Sequence, residues 1–191
     1  MTTATVSISE VGWPARKFLG SALYAWSMRI AVISDTHIPS RADAIPDWVV
    51  EEVERSDHVV HAGDFDSPDA YERVVDIAPE LTAVVGNMDP PLDVPEVATL
   101  DTAGVRFVVV HGTGELATYD ERVAGIVDEH AADEGLTVGV VGHTHQRRDE
   151  EVGGYRLLNP GSATGADPAS EVSMLVVEVA DGKIDVTPMT G

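Results

Sequence analysis

The 191-residue chain carries 33 acidic but only 12 basic residues, a formal net charge of −21, and no cysteine. Disulfides, thiolate metal sites and cysteine nucleophiles are therefore excluded, and with no basic patch visible no stable nucleic-acid binding is expected. The length suits one domain with an ample core, and no apolar run approaches the ~18 residues of a membrane span.

Residues 1–27 stand apart. Their apolar stretch, 18–26, is broken by Gly20 and Ser21 and lacks a small-residue cleavage site, which argues against a secretory signal. The whole segment 1–27 reads as a loosely ordered extension or an interfacial helix, with Met28 as an alternative start. The domain itself is expected over residues 28–191. An apolar strand at 29–33 is followed by Ser34-Asp35-Thr36-His37, and a helix over 46–55 has Pro46 at its first turn. A strand at 58–62 ends in Gly63-Asp64, and a helix over 68–77 has Ser67 as its N-cap and Pro79 beyond its end. A strand at 81–85 runs into Gly86-Asn87-Met88-Asp89, after which Pro90, Pro91 and Pro95 enforce a loop. A strand at 105–110 is closed by His111-Gly112, and a helix over 119–132 stops near Gly135. The strand at 136–141 meets Gly142-His143-Thr144-His145, and 155–158 runs into Asn159-Pro160-Gly161-Ser162. Strands at 173–179 and 183–186 form a hairpin about Asp181-Gly182. The class is α/β, becoming strand-rich toward the C-terminus.

Five strands thus end in groups that bind metals. In α/β sheets such groups collect beyond the carboxyl ends of strands. His143 and His145, two residues apart on an extended chain, are expected to project together. The set offers two carboxylates (Asp35, Asp64), four imidazoles (His37, His111, His143, His145) and the Asn87 amide. Seven donors exceed one tetrahedral site and suit two ions sharing a carboxylate. Two divalent ions and two carboxylates leave the site about +2, so it attracts a phosphate that the chain as a whole repels.

The ordered motifs D-x-H, G-D, G-N, H-G and G-H-x-H resemble the calcineurin-like metallophosphoesterases. The Gly86-Asn87-x-Asp89 form and Asn159-Pro160-Gly161-Ser162 look most like their small, single-domain phosphodiesterase branch. The resemblance implies two mixed β-sheets packed as a sandwich and flanked by helices. It implies that Asp35, His37, Asp64 and His145 hold one divalent ion, and Asp64, Asn87, His111 and His143 the other. Mn²⁺ is expected first, with Ni²⁺, Fe or Zn²⁺ also compatible. The implied activity is hydrolysis of a small phosphoester, foremost a diester, by a metal-bridging hydroxide, with Asn87 and His143 beside the phosphate. Its rivals are a phosphomonoesterase or nucleotide phosphatase on the same site, and a non-catalytic protein-binding scaffold like the retromer subunit of this fold.

The chain departs from the family at Met88, where many members carry a proton-donating His, and at Thr113, where the small branch often has a second His. Asp89 remains as an acid or orienting group, so good leaving groups or slow turnover are expected. His61 is expected near the site, His58 and His130 in solvent, and Arg41, Arg147 and Arg148 on the surface near motif ends. Trp48 is expected in the core. Lys17 and Lys183 are the only lysines, and the acids are spread along the chain. That pattern fits a salt-rich cytoplasm, because at about 1 M salt a Debye length of ~3 Å screens self-repulsion. A homodimer is left open.

Overall fold

The computed structural model describes residues 3–7 and 27–191. The loosely ordered extension or interfacial helix expected over 1–27 lies outside the described residues except at residues 3–7 and 27. Strand β1 (Thr3–Ser7) pairs in parallel with β5 (Val97–Thr102). The chain then runs β2 (Met28–Ile33), α1 (Asp47–Glu54), β3 (His58–His61), α2 (Pro68–Ile77), β4 (Leu81–Ala83), β5, β6 (Val105–Val110), α3 (Tyr119–Glu129), β7 (Leu136–Val141), β8 (Arg148–Val152), β9 (Tyr155–Asn159), β10 (Ser173–Ala180) and β11 (Lys183–Thr190).

Two mixed sheets result. One has the order β1-β5-β6-β7-β9-β8, the other β11-β10-β2-β3-β4. Strands β2, β3 and β4 are mutually parallel, as are β6, β7 and β9. Alternation along the strands builds the layers. Ile30, Val32 and Val60 pack between the sheets with Phe107, Val109, Val138, Val140, Leu175 and Val177. The alternate residues Ala31, Ile33 and Val59 turn outward onto α1 and α2, meeting Val49, Val53 and Val74. On the opposite side Val108, Val110 and Val141 pack on Val123 and Val127 of α3. The sandwich is therefore flanked by helices on both faces. Among the described residues no helix is long and apolar enough to cross a membrane.

Several bounds differ from the sequence expectation. Strands β1, β5 and β8 differ from the expectation, β1 forming where an extension or an interfacial helix is expected; β8 reads Arg-Asp-Glu-Glu-Val and lies at a sheet edge, so it carries no apolar alternation. Strand β11 continues past Val186 through Pro188, which an edge strand tolerates. Helix α3 ends at Glu129, short of the expected 132. Trp48 packs against the helix-side core as expected, although only partly buried. His58 is not solvated. It opens β3, is buried, and its Nε2 lies 2.8 Å from the Thr82 hydroxyl.

Candidate metal centre

The parallel strands of both sheets deliver their carboxyl ends to one end of the sandwich, and the expected donors sit on the loops that leave them. β2 leads to Asp35 and His37, β3 to Asp64, β4 to Asn87, β6 to His111, and β7 to His143 and His145. Two groups of donor atoms form: Asp35 with His37 and His145, and Asp35 with Asp64 and His111. All five residues are buried. His143 is half-buried and Asn87 is exposed, its Oδ1 lying 3.2 Å from His111 Nε2. His143 stands outside both buried groups.

The expectation that His143 and His145 project together from an extended strand is not met. β7 stops at Val141, and both histidines have left-handed backbone (φ 71° and 54°), which turns them apart. His145 enters the first group, whereas the ring of His143 stands edge-on to that of His111, centroids 5.2 Å apart, with the Tyr119 ring nearly parallel to it at 6.2 Å. Asp35, His37 and Asp64 are left-handed as well, with φ of 52°, 48° and 62°. Such backbone is uncommon outside glycine and gathers at functional sites. The glycines make room for it. A Cβ on Gly86 would overlap the Asp64 carboxylate, and one on Gly63 would stand 2.9 Å from His111 Nδ1.

The outer nitrogen of each histidine has a fixed partner. His37 Nδ1–H donates to Asp66 Oδ1 (2.8 Å), His145 Nδ1–H to the Ala166 carbonyl (2.8 Å), and His111 Nδ1–H to the Ala62 carbonyl (2.7 Å). Each inner Nε2 is thereby left as a lone pair facing the centre. The Nε2 atoms of His37 and His145 stand only 3.0 Å apart, with Asp35 Oδ1 3.9 and 3.4 Å away. His111 Nε2 faces Asp64 Oδ2 at 3.2 Å. Acceptors turned toward one another in a buried site repel unless a cation lies among them. Mixed imidazole and carboxylate donors suit a divalent transition metal, so the donor set fits such an ion.

The donors differ in how burial and neighbouring charges set their protonation. Burial, eased partly by His111 and by the hydroxyl of Ser34, pushes the Asp35 carboxyl up to about 6. For Asp64 burial acts in the same upward sense, but His111 and the Met88 amide overcome it and hold the carboxyl below its usual range. Burial pushes His145 and His143 down, toward the neutral form that binds metals, whereas at His111 burial is outweighed by the Asp64 and Asp35 carboxylates, which hold the ring above its ordinary value, so a cation there must displace the proton shared with Asp64.

Other residues shape the site without facing it. The Asp89 carboxylate accepts from the backbone N–H groups of Asp64, Phe65, Asp66 and Gly86 at 2.6–3.1 Å. Asn159 Nδ2 donates to the Gly142 carbonyl, as does the Tyr119 hydroxyl, and Ser162 Oγ donates to the Asp35 carbonyl. The Asn-Pro-Gly-Ser segment therefore braces the loops that carry Asp35 and His143. His61 is no donor to the centre. Its Nδ1 accepts from Gly63 N–H, and its ring stacks on Phe65 at 3.7 Å. Arg147 and Arg148 are engaged with Glu171, and with Asp120 and Glu150. The roles of Asp66, Tyr119 and the Ala62 and Ala166 carbonyls lay outside the sequence reading. Backbone oxygens carry no residue signature, although the acid at Asp66, two beyond Asp64, was a usable hint.

Relatives give the same picture. A probable metallophosphoesterase of Methanothermobacter thermautotrophicus is 34% identical over 164 residues, covering 83% of this chain and 90% of the relative. A Thermotoga maritima protein solved in solution has 29% identity and a TM-score of 0.66, with 86% of this chain and 99% of that one covered. Wild-type Vps29 of Entamoeba histolytica, solved as a Zn²⁺ complex, has 25% identity and a TM-score of 0.61, over 85% and 99% of the two chains. Residues 28–182 match the family model for the calcineurin-like phosphoesterase superfamily domain, and the chain belongs to that superfamily of metallophosphoesterases.

Proposed function

We propose that the chain is a dinuclear phosphodiesterase. The observation that carries this reading is the placement of one oxygen, Asp64 Oδ2, within 3.2 Å of His111 Nε2 and 3.6 Å of His37 Nε2. A single carboxylate atom is thus in reach of both donor groups, as a bridging ligand must be. Asp35, His37 and His145 would complete one site; Asn87, His111 and His143 would complete the other. Divalent ions held there supply Lewis acidity toward phosphoryl oxygens and a nucleophile at neutral pH. The Zn²⁺ complex of the Entamoeba relative supports a divalent occupant.

The chain's own groups set the rest. The Nε2–H of His143 is directed to the Gly114 carbonyl at 3.2 Å, which leaves Nδ1 as its lone pair. The Asn87 amide and His143 flank the position of a phosphate drawn to the donors. Met88 is exposed beside Asn87 and has no proton to give. The oxygens of Asp89 are already taken by backbone amides, so it serves to hold the Asp64 turn rather than to protonate a leaving group. Esters whose alcohol leaves readily as an anion are the substrates this site favours. A diester monoanion is also less repelled by a chain of net charge −21 than a monoester dianion is.

The test is metal content together with initial rates on an aryl phosphodiester and the matching monoester, with Mn²⁺ and high salt. Wild type should hold close to two ions and prefer the diester, and Asp64→Ala should lose both. A preference for the monoester would make the chain a phosphomonoesterase. A wild type with neither metal nor activity would refute the hydrolase and favour the scaffold.

A further inference from the structure

Two arginines flank the centre. Among the described residues, ion pairs engage Arg29, Arg55, Arg106, Arg147, Arg148 and Arg156. The other described arginines, Arg41, Arg73 and Arg122, form none; of these, Arg41 and Arg122 have neutral oxygen partners beside the centre, although the chain holds 33 acids.

Their partners have a common logic. The outer N–H of His145 is held by the Ala166 carbonyl, and Arg41 Nη1 donates to the next carbonyl along, that of Asp167, at 2.7 Å. The outer N–H of His143 is held by the Gly114 carbonyl, and Arg122 Nη1 donates to the next carbonyl along, that of Glu115, at 3.1 Å. Arg122 also binds the Gly112 carbonyl (2.9 Å) and the Thr118 hydroxyl (2.9 Å) and lies over the Tyr119 ring, whose other neighbour is His143. Gly114 is tight against this guanidinium: a Cβ there would meet its central carbon at 3.0 Å. Arg41 starts from the opposite side, with its own backbone N–H donating to the His37 carbonyl.

We propose that Arg41 and Arg122 are positioning residues, each holding the carbonyl next to the one that orients a histidine of the Gly142-His143-Thr144-His145 motif, and so fixing that loop segment. Arg41 ties the Asp35–His37 loop to the 166–167 turn and so sets His145. Arg122 folds the exposed 113–118 loop onto α3 and so sets His143. The guanidinium suits this task because one planar group can serve several carbonyls at once. This inference rests on the dinuclear reading of the site.

The experiment is Mn²⁺ titration by calorimetry of wild type, Arg122→Gln, Arg41→Gln, Arg147→Gln, His143→Ala and the double variant His143→Ala/Arg122→Gln, each with a melting curve. Groups that orient a metal-binding His change affinity by about 10–100-fold. Arg122→Gln should weaken one Mn²⁺ at least tenfold and leave the other unchanged. Arg41→Gln should weaken the other ion, and Arg147→Gln, whose arginine pairs with Glu171, neither. In the His143→Ala background Arg122→Gln should add nothing, because its effect passes through that ring. Two ions bound with wild-type affinity in Arg122→Gln, or a full additional loss in the double variant, overturns the inference alone. A wild type that binds no Mn²⁺ overturns the dinuclear reading and this inference with it.

Discussion

Replacing Asp89 by Asn keeps the shape of the side chain but removes the charge around which the Asp64 turn is wrapped. Oδ1 accepts from Phe65 and Asp66, and Oδ2 from Asp64 and Gly86. In the amide one of these oxygens becomes an NH₂ group that faces two N–H donors. Two charge-assisted hydrogen bonds are lost, each contributing about 1.5–3 kcal/mol, so the cost is about 3–6 kcal/mol before the turn relaxes. Against a typical stability of about 5–15 kcal/mol, urea unfolding should show a lowered midpoint with an unchanged slope. Because the freed amides belong to Asp64 and its neighbours, Mn²⁺ affinity should fall as well. Rates should then fall by the same factor for aryl diesters with good and with poor leaving groups once metal saturates. A stability change under about 1 kcal/mol, with activity lost only on poor leaving groups, would refute this reasoning and make Asp89 the proton donor.

Gly86→Ala forces a methyl into the Asp64 carboxylate. The folded yield should drop sharply, and what survives should carry fewer than two metals by elemental analysis. Burial holds His58 down to about 4 from its ordinary 6.5, so the unfolded chain takes the proton first on acidification. Stability is present above pH ~6.5 and is lost progressively toward pH ~4, by about 3 kcal/mol in all. Urea melts across that window should flatten in His58→Gln, and an unchanged profile would count against the buried neutral ring. Asp35 has the opposite sign. Its carboxyl, pushed up to about 6 by burial, costs metal-free protein stability as pH rises through that value. In chelator at pH 7 Asp35→Asn should melt above wild type. Metal at 100 times its Kd should then stabilise wild type by about 2.7 kcal/mol and the variant hardly at all; equal stabilisation of both would remove Asp35 from the donor set.

The sequence is most informative where chemistry and strand ends coincide. Apolar runs that each stop at a donor residue locate β2, β3, β4, β6 and β7, and they bring Asp35, His37, Asp64, His111 and His145 into a space a few ångströms wide. What it conceals has physical causes. His143 and His145 follow a strand in sequence, so extended geometry is the natural assumption. The left-handed turn that separates them is a property of the loop, enforced from outside by Asn159 and Tyr119 on the Gly142 carbonyl. The carbonyls of Ala62, Gly114 and Ala166 fix the rings, yet any residue type could offer them. His58 follows Asp57 and reads as polar surface, but parallel pairing with β2 on one side and β4 on the other closes over β3. β8 is hidden by its charges, as protected edge strands are.

The donors are divided between the two sheets. Asp35, His37 and Asp64 leave β2 and β3, whereas His111 and His145 leave β6 and β7 of the facing sheet. A cation among them is therefore a rivet through the open lip of the sandwich, joining halves that elsewhere touch mainly through aliphatic side chains. Its removal should register as faster amide exchange in the ligand loops on both sheets at once, while β10 and β11, paired strand to strand in a hairpin, stay protected. Catalytic readiness and the stiffness of that lip would then be set by the same ions.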